Sequence, residues 1–220
     1  VDNEEGCTVH MPLNAYVSAG DTEVIDDGGT PTEQADDITV RYLNLDSDPP
    51  PVDPIFRRKF KESERLNNAS LVFKLTYGNV SFLITGDING RDKDHFGIAY
   101  DREIDSEELE LWVRHQLDPG RYGLKSTVLQ APHHGSNGAS SLPFLQVVAP
   151  EWVVISAGHE YNHPAPDTLR RLAAANVATN HILRTDDGDS TPEHLDNKDD
   201  SGDESYVFET DGTAIARITR

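Results

Sequence analysis

Residues Ser70 to Asp87 read SLVFKLTYGNVSFLITGD, two apolar runs on either side of Gly78-Asn79. Alternating Val, Phe, Leu and Tyr side chains favour extended chain, and a Gly-Asn pair between two such runs is the signature of a β-hairpin. The second run ends on Gly86-Asp87, so a carboxylate stands directly beyond a strand where glycine lets the backbone turn sharply. A carboxylate so placed suits a bridging position between two divalent ions, and it equally suits the capping of a turn.

Downstream, the pattern changes period. Ser106 to Leu117 places Leu109, Trp112, Val113 and Gln116 at helical spacing, with acidic residues in the first turn. Thr127 to Ala131 reads as a strand, Pro143 to Val148 as a short helix, and Trp152 to Ser156 as a strongly apolar strand. Asp167 to Ala175 reads as a helix with Asp167 at its N-cap and Leu169, Leu172 and Ala173 on its inner face. Strand, helix, strand, helix in this order predicts an α/β layer whose strand C-termini share one side. The chain closes on Ile182 to Thr185, an acidic loop, and a second hairpin, Tyr206–Thr210 and Ala214–Ile218, around Asp211-Gly212.

Upstream, Val1 to Pro54 is polar and broken by Gly and Pro, with short strands expected at Ala15-Tyr16-Val17 and Ile38 to Leu43. Asp53 to Leu66 reads as a linker or a short helix. At 220 residues the whole chain is long enough for one domain with a substantial core.

Composition narrows the chemistry. The single cysteine, Cys7, excludes an internal disulfide framework and a Cys-rich zinc site, so a metal here would be held by His and Asp. No segment has the apolar length to span a bilayer, which predicts a soluble chain without membrane contact, cytoplasmic by preference. The formal charge of −20 disfavours a broad grip on nucleic acid through phosphate neutralisation, although bound divalent cations would offset charge locally. The acidic stretch from Asp186 to Ser205 misses the spacing of an EF-hand and reads as a solvated insertion.

Two further motifs stand beyond apolar strands, as Asp87 does. Ala131-Pro132-His133-His134-Gly135-Ser136 offers adjacent imidazoles which, on extended backbone, would point to opposite sides, one towards a metal and one towards packing or substrate. Gly135 and Ser136 then allow a close turn and offer a hydroxyl and backbone N–H groups to an anion. His163, between Asn162 and Pro164, could complete a coordination shell or serve simply as a loop histidine. A nucleophilic role for Ser136 lacks the G-x-S-x-G elbow, and no phosphate loop or dinucleotide fingerprint is present.

Taken together, L-I-T-G-D, L-Q-A-P-H-H-G-S, V-V-I-S-A-G with N-H-P, and R-T-D-D-G-D resemble the metallo-β-lactamase superfamily. Within it, the match is to the hydrolase domain of ComEC-type competence proteins and their stand-alone relatives. The resemblance implies an αββα sandwich with two divalent ions, zinc or manganese, at one edge of its two sheets. Asp87 matches the family's metal-bridging Asp, His163 its last metal-binding His, and His133 and His134 its H-H-G-S, one of them at the metal. Where many members carry a further His, this chain has Asn67 and Asn68.

The family's first sheet and its H-x-D-x-D-H or H-x-H-x-D-H loop precede the part that corresponds to Val1 onward, so the chain resembles the C-terminal half. The activity implied for the complete site is metal-dependent phosphodiester hydrolysis, with nucleic acid as a possible substrate. Asp87 and His134 would then be catalytic, and His133 and Ser136 would meet substrate. A non-catalytic binding or scaffold module is the alternative, and lactone or thioester hydrolysis is a third reading. The partner expected is the N-terminal segment or a second copy.

Overall fold

A computed structural model describes residues 18–26, 37–45, 62–90, 107–158, 161–186 and 205–218. The strand expected at Ala15-Tyr16-Val17, most of the Asp53–Leu66 segment and nearly all of the acidic Asp186–Ser205 stretch lie outside these residues. The described chain is mixed α/β. Seven strands form one sheet in sequence order: β1 (Thr22–Asp26), β2 (Ile38–Asn44), β3 (Val72–Tyr77), β4 (Val80–Ile84), β5 (Val128–Gln130), β6 (Trp152–Ile155) and β7 (Ile182–Arg184). Strands β1 to β4 run antiparallel, and β4 to β7 run parallel. Helix α1 (Glu62–Asn68) precedes β3, and α2 (Glu107–Leu117), α3 (Leu142–Val148) and α4 (Pro166–Ala174) fall around the parallel strands. Strands β8 (Val207–Thr210) and β9 (Ile215–Ile218) pair separately.

The expected β3–β4 hairpin is present, with Tyr77 opposite Val80 and only Gly78-Asn79 between. Gly78 takes φ +56°, and a Cβ there would collide with Gly212 O. That oxygen accepts the Asn79 N–H at 2.6 Å, so the turn of the β8–β9 hairpin docks onto the turn of the first.

The sheet has two unlike faces. Leu83, Leu129, Val153 and Ile155 point to one side and pack with Leu111 of α2, Phe144, Leu145 and Val148 of α3, and Leu172 of α4, all fully buried. On β2 and β3 this same side carries Arg41 opposite Lys74 and Thr39 opposite Thr76. The loop after α2 covers them: Arg41 Nη1 donates to Gly120 O (2.6 Å) and Lys74 Nζ to Lys125 O (2.7 Å). Burial pushes the Lys74 ammonium below its ordinary pKa.

The other side of β2 to β6 is apolar instead. Residues directly opposite in register share a face, which places Ile38, Val40 and Tyr42 beside Tyr77, Leu75 and Phe73, and continues through Phe82 and Ile84. The β8–β9 hairpin covers part of it, with Phe208 edge-on to Phe82 (6.0 Å) and Trp152 (5.7 Å).

Three expectations about the helices are corrected. Helix α4 starts at Pro166, with Ala165 as N-cap, because proline suits the first helical position; Asp167 sits inside the first turn and pairs with Arg170. Its inward residues are Thr168, Arg171 and Leu172, with Leu169 packed against the same core as expected, while Ala173 is exposed. In α2 the buried side is Glu107, Glu108 and Leu111, and Val113 and Gln116 face outward. Both corrections to the buried faces have one cause: charged side chains turn inward to bind loop backbone. Among the described residues no helix is long and apolar enough to cross a membrane.

Candidate functional site

The ends of β4, β5 and β6 lie side by side because these strands are parallel neighbours. Beyond β4, Gln130 at the end of β5 ties down the turn. Its Oε1 accepts the N–H groups of Thr85 (3.0 Å) and Gly86 (3.2 Å), and its backbone oxygen accepts the Thr85 hydroxyl (2.8 Å). Gly86 takes φ +55°, where a Cβ would meet Ser70 Cβ at 2.8 Å, and the Asp87 N–H donates to Ser70 Oγ (3.0 Å). Asp87 is therefore aimed by fixed neighbours on both sides.

Beyond β5 the backbone is not extended, which corrects the expected geometry of the histidine pair. His133, His134 and Gly135 take φ of 49°, 56° and 72° in succession, a left-handed turn that costs energy for residues bearing a Cβ. Two hydrogen bonds brace it: His133 N donates to Gly86 O (3.0 Å) and Ala165 N to Gly135 O (2.9 Å). The two rings stand 6.5 Å apart at 68°, rather than on opposite sides of a strand.

Hydrogen bonds distinguish the two imidazoles. His133 Nδ1 lies 3.2 Å from Asn89 Oδ1, which can only accept, and its Nε2 lies 3.4 Å from Asn67 Nδ2, which can only donate. Both nitrogens of a neutral His133 are thereby engaged. Asn89 Nδ2 and N in turn donate to Asn68 Oδ1 (2.9 and 3.1 Å). Burial holds the His133 pKa below its ordinary value; the Asp87 charge opposes this, and the neighbouring His134 adds to it.

His134 is placed differently. Its Nδ1 donates to Ser156 O, a carbonyl beyond β6, at 2.7 Å, so in the neutral ring Nε2 carries a bare lone pair. That nitrogen faces Asp87 Oδ1 at 3.3 Å, with both side chains more than two-fifths exposed. Two acceptors at this distance attract once the ring takes a proton or a cation lies between them. The His163 ring stands beside His133, centroids 6.2 Å apart, and its buried Nδ1 has no hydrogen-bond partner among the described residues. Burial, reinforced by His133 and His134, keeps its pKa low and favours the neutral ring that binds metals.

These observations fit a metal in part. Asp87 and His134 converge and His163 carries an orphaned ring nitrogen, yet among the described residues no group of three His, Cys, Asp or Glu side chains is gathered closely enough to hold an ion. Ser136, expected to meet substrate, is buried; its N–H is spent on His133 O (2.8 Å), and its hydroxyl has no partner among the described residues.

Sequence reasoning missed the framework behind these groups. Glu108 is fully buried and accepts from Ser140 N (2.5 Å), Ser141 N (2.9 Å) and Ser141 Oγ (2.6 Å). Arg171 holds the carbonyls of the same loop, with Nε on Ser140 O (2.8 Å) and Nη2 on Ala139 O (2.8 Å) and Asn137 O (3.0 Å). Thr168 Oγ1 adds a bond to Ser136 O (2.9 Å). An acid on α2 and a base on α4 thus grip opposite ends of the peptide dipoles in the loop that follows the histidine pair. Burial raises the Glu108 pKa against the pull of the Ser141 and Ser140 hydrogen bonds and the Arg171 charge. Asn89 and Gln130 were legible only as neighbours of T-G-D and P-H-H-G. Glu108 and Arg171 sat within ordinary helical patterns.

The chain resembles three known proteins over about half its length. It is 30% identical over 122 residues to ComE operon protein 3 of Bacillus subtilis (strain 168), covering 54% of this chain and 13% of that protein. It is 32% identical over 124 residues to competence protein ComA of Neisseria gonorrhoeae, covering 54% and 14%. It is 31% identical over 100 residues to the uncharacterized protein YcaI of Escherichia coli (strain K12), covering 46% and 10%. The matched region is thus a small part of much longer relatives. No family profile matches the chain, and no solved structure matches it.

Proposed function

We propose that this chain carries part of the site of a ComEC-like metallohydrolase of the metallo-β-lactamase fold, acting on phosphodiesters when that site is complete. The observation that carries the reading is the approach of His134 Nε2 to Asp87 Oδ1 at 3.3 Å, with the ring's other nitrogen committed to Ser156 O. A hydrogen bond from the second ring nitrogen to a backbone carbonyl is the usual way a metal-binding histidine is oriented. Asp87, His134 and His163 are the metal-holding residues in this reading. His133, with both nitrogens engaged, orients the turn and meets substrate. Divalent ions, zinc or manganese, supply Lewis acidity and a bound water of lowered pKa when present.

Two further observations support the fold and the setting. The apolar face of β2 to β4 is suited to a second sheet, as an αββα sandwich requires, and such a layer brings the remaining ligands to the same edge. That layer is an N-terminal segment or a second copy. One of the similar proteins, ComA, is a competence protein by name, which favours a strand of DNA as substrate and a part in DNA uptake.

The test is metal content and turnover of the full-length protein after dialysis against zinc or manganese. Retained metal and hydrolysis of a phosphodiester, both lost on Asp87→Ala and His134→Ala, are expected. Turnover unchanged by Asp87→Ala would overturn the assignment. A non-catalytic scaffold is the second reading, favoured by the convergence of only two ligating side chains among the described residues. It predicts no more than adventitious metal in the same measurement.

A further inference from the structure

Large apolar side chains left exposed among the described residues are few, and three of them border the candidate site: Leu66, Leu71 and Tyr161. Leu66 precedes Asn67, whose amide reaches His133, and Leu71 follows Ser70, whose hydroxyl holds the Asp87 backbone. The others lie away from the site, on edge strand β1, helix α2 and β9. Tyr161 is 70% exposed, yet its ring is not loose from the fold. It lies 6.1 Å from the His163 ring with the planes 28° apart, and Asn162 makes the left-handed turn (φ 52°) between them. One face of the tyrosine is backed by an imidazole of the site, and most of the ring is open to solvent.

We infer that Tyr161 is a stacking platform for an unpaired nucleobase next to the phosphodiester held at Asp87 and His134, which makes the site selective for single strands. The inference rests on the phosphodiester reading of the same site. A net charge of −20 disfavours a broad grip on the phosphates of a strand, so uncharged contacts are the route to affinity beyond the reacting group. Base-on-aromatic stacking is such a contact. It accepts any base, and a base stacked and paired within a duplex cannot make it.

The experiment uses the full chain and a single-stranded oligonucleotide carrying 2-aminopurine, in EDTA to prevent turnover and at 0.5 M salt to screen repulsion. Wild type and Tyr161→Phe are expected to quench the probe and bind alike. Tyr161→Ala is expected to bind roughly tenfold more weakly without quenching, and an abasic strand to bind weakly to all three. Equal binding and quenching by Tyr161→Ala, or no preference of wild type for the base-bearing strand, overturns the inference. Hydrolysis of the abasic strand by metal-loaded wild type reads the phosphodiester activity separately, since that strand offers nothing to stack. Quenching without such hydrolysis sinks the activity and leaves the platform; hydrolysis with unchanged Tyr161→Ala binding does the reverse.

Discussion

Glu108 and Asp87 are both carboxylates facing a basic side chain's neighbourhood, and the protein treats them in opposite ways. Glu108 has no exposed surface; its oxygens are taken up by the Ser140 and Ser141 donors, and Arg171 grips the carbonyls beside them. Asp87 is about two-fifths exposed, and its carboxylate faces a single imidazole at 3.3 Å. A buried charge is stable only when its hydrogen-bonding capacity is filled. A charge meant to bind something else keeps capacity in reserve. The first arrangement makes a loop rigid, and the second leaves the end of that loop chemically available.

Substitution separates the two clusters most sharply. Arg171→Met leaves three loop carbonyls without a donor and the hydrogen-bonded Glu108 carboxylate without its nearby positive charge, and is expected to cost about 3–5 kcal/mol in urea unfolding. Asp87→Ala removes a partly exposed group and is expected to stay within about 0.5 kcal/mol of wild type while abolishing metal-dependent hydrolysis. If both variants lose stability equally, the division between a structural and a functional carboxylate fails.

A smaller effect is expected from packing beside the buried carboxylate. A Cβ on Gly90 would lie 2.6 Å from Glu108 Oε2, so Gly90→Ala should displace the clamp and cost about 1–3 kcal/mol by the same unfolding assay. A neutral result would mean that the Glu108 side chain has room to shift, and that the clamp is looser than its hydrogen bonds indicate.

The smallest effect concerns pH. The folded pKa of His133 lies below the ordinary 6.5, chiefly because of burial, so the unfolded chain takes up this proton at a higher pH than the folded chain. The stability linked to His133 is therefore complete above about pH 6.5 and declines as pH falls through that value, levelling off below the folded pKa. His133→Gln should flatten this part of a urea-midpoint profile between pH 7.5 and 5. An unchanged profile would show that another group carries the dependence.

Much of the fold was legible locally. The Gly78-Asn79 hairpin, the strands ending at Gln130 and Ile155, and the closing hairpin around Asp211-Gly212 follow from alternation and turn chemistry, which act between near neighbours. The helix faces were misread where charge overrode periodicity. In α2 and α4, Glu108 and Arg171 take inward positions that an apolar count assigns outward, because their partners are loop backbone groups about thirty residues away. The histidine pair was recognised by motif, but its left-handed turn was not. Nothing in two adjacent histidines signals positive φ until Gly86 and Ala165 hold the backbone there.

The sequence by itself determined the strands from β2 onward, though not β1 (Thr22–Asp26) in the polar opening stretch, the order of α and β, and which residues were worth watching: Asp87, His133, His134 and His163. Period and turn propensity are properties of short segments. Only the tertiary structure decided that His134 rather than His133 presents a bare nitrogen to Asp87. That choice depends on Ser156 O, Asn89 and Asn67, atoms that parallel strand pairing and a loop clamp bring together from distant parts of the chain. Hydrogen-bond capacity at a site is fixed by neighbours in space, which a linear pattern does not contain.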